Sequence, residues 1–405
     1  MLKKFVQSYL DVILLTLIAV PMGALVGLID AGFGRVLLWI TEIRGEYPYW
    51  FIPFLGIIGV FIVWCYQTFG GESMKGMALV FETGHGVRSD IPLRLIPFTI
   101  VGTWLTHLFG GSAGREGVAI QIGATVSHRI SKYFSRKNSG RILLIAGMAA
   151  GFSGLFQTPV AATFFALEVL TVGVLEQEAI LPALTGAYTA CYVSKWAGLE
   201  KFSFALTDSI TVNPPLIMKL ILIGILFGVT GGVFSLLLHK TKHLAVTLFK
   251  THWIRILVIG IFISITSLLC MSGRYSGLGT NLISMSFSQG IKPWDFILKL
   301  LFTTITLSAG FQGGEVTPIF SIGSSFGIVL ASLLHLPPAF TAALGYTAVF
   351  GSATNTLIAP MIIGVEVFGL NYLPYFVIVC TLAYVFNGNL SIYPLQKLKA
   401  ENSKS

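Results

Sequence analysis

The chain has 405 residues, of which 54% are hydrophobic and only 11% charged, against about 25% charged in soluble proteins. That balance excludes a soluble enzyme and identifies a polytopic membrane protein, and the four cysteines, Cys65, Cys191, Cys270 and Cys380, stand singly rather than as a disulfide framework. The net charge of +9 does not indicate a nucleic-acid partner, because the cations cluster between apolar runs, as cytoplasmic loops do under the positive-inside rule.

The first twenty residues, MLKKFVQSYLDVILLTLIAV, have the basic lead of a signal peptide. The apolar run outlasts a signal core, and no small-x-small site precedes a soluble domain, so this is expected to be a retained membrane segment. Further apolar runs follow at Phe51–Trp64, Ile142–Ala150, Leu220–Leu238, Ile256–Leu269 and Phe376–Val385. Several fall short of the about 20 residues of a full crossing. Broken segments at membrane depth survive only where they are buried in protein or line a cavity. The expected fold is therefore all-α, with many broken and tilted helices.

The basic clusters are Lys3 and Lys4; Arg129, Lys132, Arg136, Lys137 and Arg141; Lys240, Lys242, Lys250 and Arg255, read as one loop; and Lys397, Lys399 and Lys404. They place both termini in the cytoplasm. The cysteines have no CxxC spacing and are expected to be inert core residues. His239 and His243 have i, i+4 spacing but no third ligand, so neither a metal nor a cofactor is expected.

The chain repeats itself in order. GMALV at 76–80 has a counterpart in SGLGTNLI at 276–283, and GGSAGREGVAIQIG at 110–123 in GFQGGEVTPIFSIG at 310–323. AAGFSGLFQTPVAATFFALEVL at 149–170 matches VFGSATNTLIAPMIIGVEVF at 349–368, and LPAL at 181–184 matches LPYF at 373–376. The offsets all lie near half the chain, which predicts a first repeat over 1–205, a second over 206–396 and a short tail over 397–405. The segment after Gly117 runs into the basic cluster at 129–141, whereas the segment after Gly314 ends at His335-Leu-Pro-Pro without a cation. The two repeats thus point in opposite directions across the membrane.

Helix starts that converge from two inverted repeats make an anion site. Each presents unpaired N–H groups and about half a positive charge, and glycines let the backbone approach an ion closely. Ser112-Ala-Gly-Arg-Glu-Gly and Gly313-Gly-Glu-Val-Thr-Pro both have this composition, and Pro318 suits the start of a helix. An ionisable residue inside the membrane reads as functional, which singles out Glu116 and Glu315. Arg115 is expected to satisfy carbonyls or another acid, because neighbours on a helix point about 100° apart and do not face each other. Glu168 and Glu366 occupy matched positions, and that symmetry favours satisfying helix ends. For Glu315, capping its own helix is the simpler alternative, as packing is for Met77. The Thr317 hydroxyl could serve either an anion or the preceding turn.

GREG before a short apolar helix, a GxxxP loop half a chain later, the inverted repeat and a tyrosine near the C-terminus resemble the CLC family of anion channels and anion/proton antiporters, over essentially the whole chain. The resemblance implies a homodimer in the plasma membrane of a bacterium, with the lipid bilayer, anions and protons as partners. It makes Glu116 the gate and proton carrier. It places an anion against Gly76, Met77, Gly117, Val118, Val316, Thr317 and Tyr393, although Tyr384 is close enough in sequence to compete with Tyr393. Three departures from the family pattern stand out. Met77 replaces the usual serine of the first anion loop, Glu315 adds a carboxylate to the second, and Val169 follows Glu168 where many members carry a glutamate pair. Together they resemble the fluoride-exporting branch, which implies fluoride export in exchange for protons with Glu315 in the coupling. The alternative is a chloride/proton antiporter or a passive chloride channel of the same fold. An intramembrane hydrolase needs a nucleophile and a base that face each other, and no GxSxG, HExxH or paired aspartate motif is expected to provide them.

Overall fold

The computed structural model describes residues 2–134, 138–207 and 210–398, with side chains from residue 9 onward. Arg136, Lys137, Lys399, Lys404 and the side chains of Lys3 and Lys4 lie outside the described residues, as does all of the expected tail beyond residue 398. The helices in chain order are α1 (Leu2–Glu46), α2 (Pro48–Phe51), α3 (Leu55–Cys65), α4 (Met77–Gly84), α5 (Leu95–Leu108), α6 (Glu116–Ser131), α7 (Ser139–Phe156), α8 (Pro159–Glu168) and α9 (Ile180–Trp196). They continue with α10 (Pro214–Leu248), α11 (His252–Leu269), α12 (Thr280–Phe287), α13 (Asp295–Ala309), α14 (Val316–Leu334), α15 (Pro338–Thr354), α16 (Ile358–Phe368) and α17 (Leu373–Val385). Two short strands, β1 (Thr171–Val172) and β2 (Lys397–Leu398), pair in parallel.

Among the described residues, six helical stretches have the length and hydropathy of a membrane crossing: Tyr9–Glu46, Pro48–Gly84, Ser139–Phe156, Pro214–Leu248, His252–Leu269 and Val316–Leu334. The helices at Leu95–Leu108, Pro159–Glu168 and Ile358–Phe368 are apolar but shorter. The protein is a multi-pass, mostly helical membrane protein. Local chemistry sets the ends: Pro48, Pro159, Pro214 and Pro338 open their helices, where a missing N–H costs nothing. The Asn213 side chain accepts from the Leu216 N–H at 2.9 Å. Gln157 and Asn355 close α7 and α15 in the left-handed conformation.

Two elements differ from the sequence expectation. The first segment is one helix of 45 residues that continues through Pro21. The basic run from His239 to Arg255 is not a loop but the end of α10, a short turn and the start of α11. Arg255 is buried there, with its Nε donating to the Ala309 carbonyl at 3.3 Å. Only Cys380 among the cysteines is buried; the other three are half-buried.

The packing has two matching groups. Helices α1, α7 and α9 pack together, as do α10, α15 and α17, while α6 packs on α7 and α14 on α15. The contacts α3 with α11 and α8 with α16 join the groups. Small residues set these distances, since without a hydrophobic drive in lipid the helices gain from close backbone packing. A Cβ on Gly123 would come 2.0 Å from the Gly147 carbonyl oxygen, and one on Gly323 would come 2.1 Å from that of Gly345.

Candidate functional site

The two glycine loops meet. Gly114 and Gly314 exchange backbone hydrogen bonds, N to O at 2.5 and 2.8 Å, as an isolated antiparallel bridge. The chain therefore runs in opposite directions through the two loops before entering α6 and α14. Only glycine fits at this crossing. A Cβ on Gly114 would stand 2.9 Å from Pro318 and 3.0 Å from the Gly314 oxygen, and one on Gly313, at φ +150°, would stand 2.5 Å from Ala113.

Glu116 opens α6 and is fully buried. Its carboxylate reaches across the crossing to the start of α14. It accepts from the Thr317 N–H at 3.1 Å and from the Thr317 hydroxyl, whose oxygen lies 2.6 and 2.5 Å from the two carboxylate oxygens. The Thr317 hydroxyl is thus committed to a carboxylate rather than to the preceding turn. A negative group sits where the N–H groups and the dipole of α14 favour one.

Arg115 differs from the expectation. It is the residue before α6, at φ −130°, so helical spacing does not govern its direction. Its guanidinium turns toward Glu116, Nε to Oε1 at 3.8 Å, while Nε and Nη1 find no hydrogen-bond partner among the described residues. No described carbonyl receives them. Pro318 is the third residue of α14 rather than the first, still within the turn whose N–H groups have no helical acceptor.

A cavity of about 190 Å³ lies next to this crossing. Gly76, Met77, Gly117, Glu315 and Tyr393 line it together. Gly76 has φ +53° and begins the turn into α4, of which Met77 is the first residue. Glu315 holds the position before α14, but its side chain makes no capping hydrogen bond. The Tyr393 ring packs against Phe81, with centroids 5.2 Å apart, and its hydroxyl has no partner among the described residues. Tyr384 lines a different cavity, beside Glu168, so geometry separates the two tyrosines. Val118 and Val316 do not reach the first cavity; Val118 packs with Phe33, Leu37 and Ile122, and Val316 lies in the main apolar core.

Glu168 and Glu366 form a reciprocal pair of caps. Glu168 accepts from the N–H groups of Leu357, Ile358 and Ala359 at the start of α16, at 3.1, 3.1 and 2.8 Å. Glu366 accepts from Val160 and Ala161 at the start of α8, at 3.2 and 2.9 Å. His239 donates to the Ser391 carbonyl at 2.7 Å, tying α10 to the segment before Tyr393.

Sequence reasoning missed three polar residues. Lys299, fully buried on α13, donates to the Ser112 hydroxyl at 2.9 Å and to the Tyr275 and Gly277 carbonyls at 3.0 and 2.7 Å. All three ammonium donors are used, and the loop before Glu116 is thereby fastened to the second half of the chain. A lone lysine inside the apolar run FILKLLF was the available signal. Gln121 and Lys242, the other two, line the cavity. Contrary to the expectation of no GxSxG motif, the run GSSFG at 323–327 has that spacing, but a hydrolase elbow requires a turn between a strand and a helix. Here it lies in the middle of α14.

The sequence profile described as Voltage gated chloride channel matches residues 58–388. A protein of Pseudomonas syringae pv. tomato described as a chloride/fluoride channel protein is 34% identical over 365 residues, covering 88% of this chain and 80% of its own. A crystal structure of a CLC-type fluoride/proton antiporter superposes with a TM-score of 0.95 at 50% identity, covering 96% of this chain and 99% of that one. A slow cyanobacterial chloride/proton antiporter shares the fold, with a TM-score of 0.79 at 23% identity and coverage of 92% and 94%. Together with the crossed glycine loops and their buried carboxylate, these likenesses place the chain in the CLC family of anion channels and antiporters.

Proposed function

We propose that the chain exports fluoride in exchange for protons across a bacterial plasma membrane. The observation that carries this reading is the Glu116 carboxylate bound to the Thr317 N–H and hydroxyl at the start of α14. A titratable group in an anion site is what couples an anion to a proton. As a carboxylate, Glu116 competes with the anion for the same donors; once protonated it has no charge to hold it there, and the anion replaces it. Release of that proton to the cytoplasmic side regenerates the carboxylate, whose return to the same donors expels the anion outward. Fluoride accumulates in a cell as neutral HF that dissociates inside, so an exporter driven by proton entry meets a physical need.

Fluoride is the anion favoured by two cavity residues. Met77 offers no hydroxyl to a large halide, and Glu315 adds a second titratable group to the cavity wall. Tyr393 closes the same cavity, with Gly76 and Gly117 giving backbone access. Val118 and Val316 contribute at most their backbone positions, since their side chains are in the core. The chain acts as two inverted halves, 1–205 and 206–396, with both termini in the cytoplasm, and as a homodimer. The antiparallel bridge between Gly114 and Gly314 and the exchanged caps Glu168 and Glu366 support the division, because each pairs matched positions of the two halves.

The test is efflux from proteoliposomes read with fluoride and chloride electrodes in parallel, with external pH followed at the same time. The parent should move fluoride much faster than chloride and should pump protons down a fluoride gradient. Glu116→Gln and Glu116→Ala should both lose proton pumping. Equal chloride and fluoride rates in the parent would sink the fluoride reading, and proton pumping retained in both variants would remove Glu116 from the mechanism.

A further inference from the structure

The cavity wall carries two polar groups for which the gate has no use. Gln121 stands one turn after Gly117 on α6 and is only 7% exposed. Its carboxamide oxygen has no hydrogen-bond partner among the described residues. A Cβ added at Gly76 would stand 3.4 Å from that oxygen, so the side chain is directed at the Gly76 edge of the cavity. A buried amide oxygen left without a partner is costly and calls for an occupant. The two ends of a carboxamide exchange by rotation, so the same side chain offers N–H donors to an anion.

Lys242 reaches the cavity from α10 and is half-buried. It forms no hydrogen bond with any described residue, whereas Lys75, at the same cavity, is paired with Glu72 at 3.4 Å. Lys242 is therefore an available cation facing a space that Glu315 and Tyr393 also border. At about 190 Å³ that space exceeds the about 30 Å³ share of one water several times over. A halide fits there with part of its hydration shell.

We propose that Gln121 and Lys242 form an antechamber for the transported halide, in which Lys242 draws the anion in and the Gln121 carboxamide replaces part of its water before it meets Glu315. The proposal rests on the transport reading, since the occupant is the transported anion. Lys242 acts by charge and Gln121 by hydrogen bonding, so they are separable. A charge at a channel mouth raises the local concentration of counter-ion and speeds its capture, and an interaction made before the rate-limiting step sets KM rather than kcat.

The test measures efflux rate against internal halide concentration for the parent, Lys242→Gln, Lys242→Arg, Gln121→Leu and the isosteric Gln121→Glu. Lys242→Gln and Gln121→Leu should raise the halide KM by about threefold to tenfold while the rate at saturating halide is retained. Lys242→Arg should match the parent, and Gln121→Glu should raise KM further by adding a like charge. The KM increase of Lys242→Gln should shrink as salt rises, because screening removes what the charge supplied. If Lys242 served only to offset Glu315, its effect would vanish in a Glu315→Gln background; persistence there supports the antechamber and disappearance overturns it. A KM unchanged in both Lys242→Gln and Gln121→Leu also overturns it. A parent that carries chloride as fast as fluoride defeats the fluoride reading alone, since KM is read with whichever halide the parent carries.

Discussion

The Thr317 hydroxyl oxygen stands 2.6 Å from one carboxylate oxygen of Glu116 and 2.5 Å from the other, and the Thr317 N–H donates to the second at 3.1 Å. Hydrogen bonds to charged groups contribute about 1.5–3 kcal/mol each. Thr317→Val keeps the shape and the N–H but removes the hydroxyl, so the closed gate is weakened by about tenfold or more. The expected result is a fluoride leak without matching proton movement, with Thr317→Ser close to the parent. Simultaneous fluoride and pH electrodes on the same liposomes check it, and a Thr317→Val variant with parental coupling would assign the hydroxyl no part in closing the gate.

Glu315 makes no capping hydrogen bond and borders the cavity. Glu315→Gln keeps shape and hydrogen-bonding capacity but cannot titrate. Fluoride turnover should fall by about tenfold or more, while a thermal melt in detergent stays close to the parent. Parental exchange with intact coupling would return Glu315 to its helix start.

Met77 begins α4 at the cavity edge. Met77→Ser restores a hydroxyl, and a neutral hydrogen bond contributes about 0.5–1.5 kcal/mol net. Chloride transport relative to fluoride should therefore rise by a few-fold to about tenfold, without inverting a large preference. Paired electrodes on parent and variant in one lipid measure the ratio. An unchanged ratio would leave Met77 as packing.

The reciprocal caps predict a ranking. Glu168 is 9% exposed and serves three N–H groups, whereas Glu366 is half-buried and serves two. Glu168→Ala should cost about 2 kcal/mol or more, and Glu366→Ala less, since each loses a cap and strands the donors it served. Melting midpoints in detergent give the order. Halide selectivity of the surviving protein should be unchanged in both, which separates these glutamates from Glu116.

Much of this arrangement was legible because the repeat aligns position with position: Gly114 meets Gly314 about 200 residues away in sequence, and Glu168 and Glu366 each cap the start of the helix that carries the other. What escaped depends on geometry that spacing does not carry. Arg115 faces Glu116 because it stands just outside α6, and one residue in from the helix end the argument from helical angles would have held. Val118 and Val316 have the right neighbours in sequence, yet their side chains turn to the core, since only the backbone of a helix start points along its axis. Tyr393 and Tyr384 are nine positions apart and indistinguishable by composition; the fold sends them to separate cavities. Gln121 and Lys242 were passed over because a glutamine on a helix and a lysine in a basic run are ordinary in sequence.

The bond between Glu116 and Thr317 spans 201 positions, which has a consequence for biosynthesis. Lys299, which fastens the loop before the gate, and the Thr317 donors all belong to the last third of the chain. Until that third is made, the Glu116 carboxylate lacks its Thr317 donors and has only Arg115 beside it. The contacts of the first glycine loop are complete only once α13 and α14, synthesised later, pack against it, so substitutions at Lys299 or Gly314 act on the first loop as much as on their own.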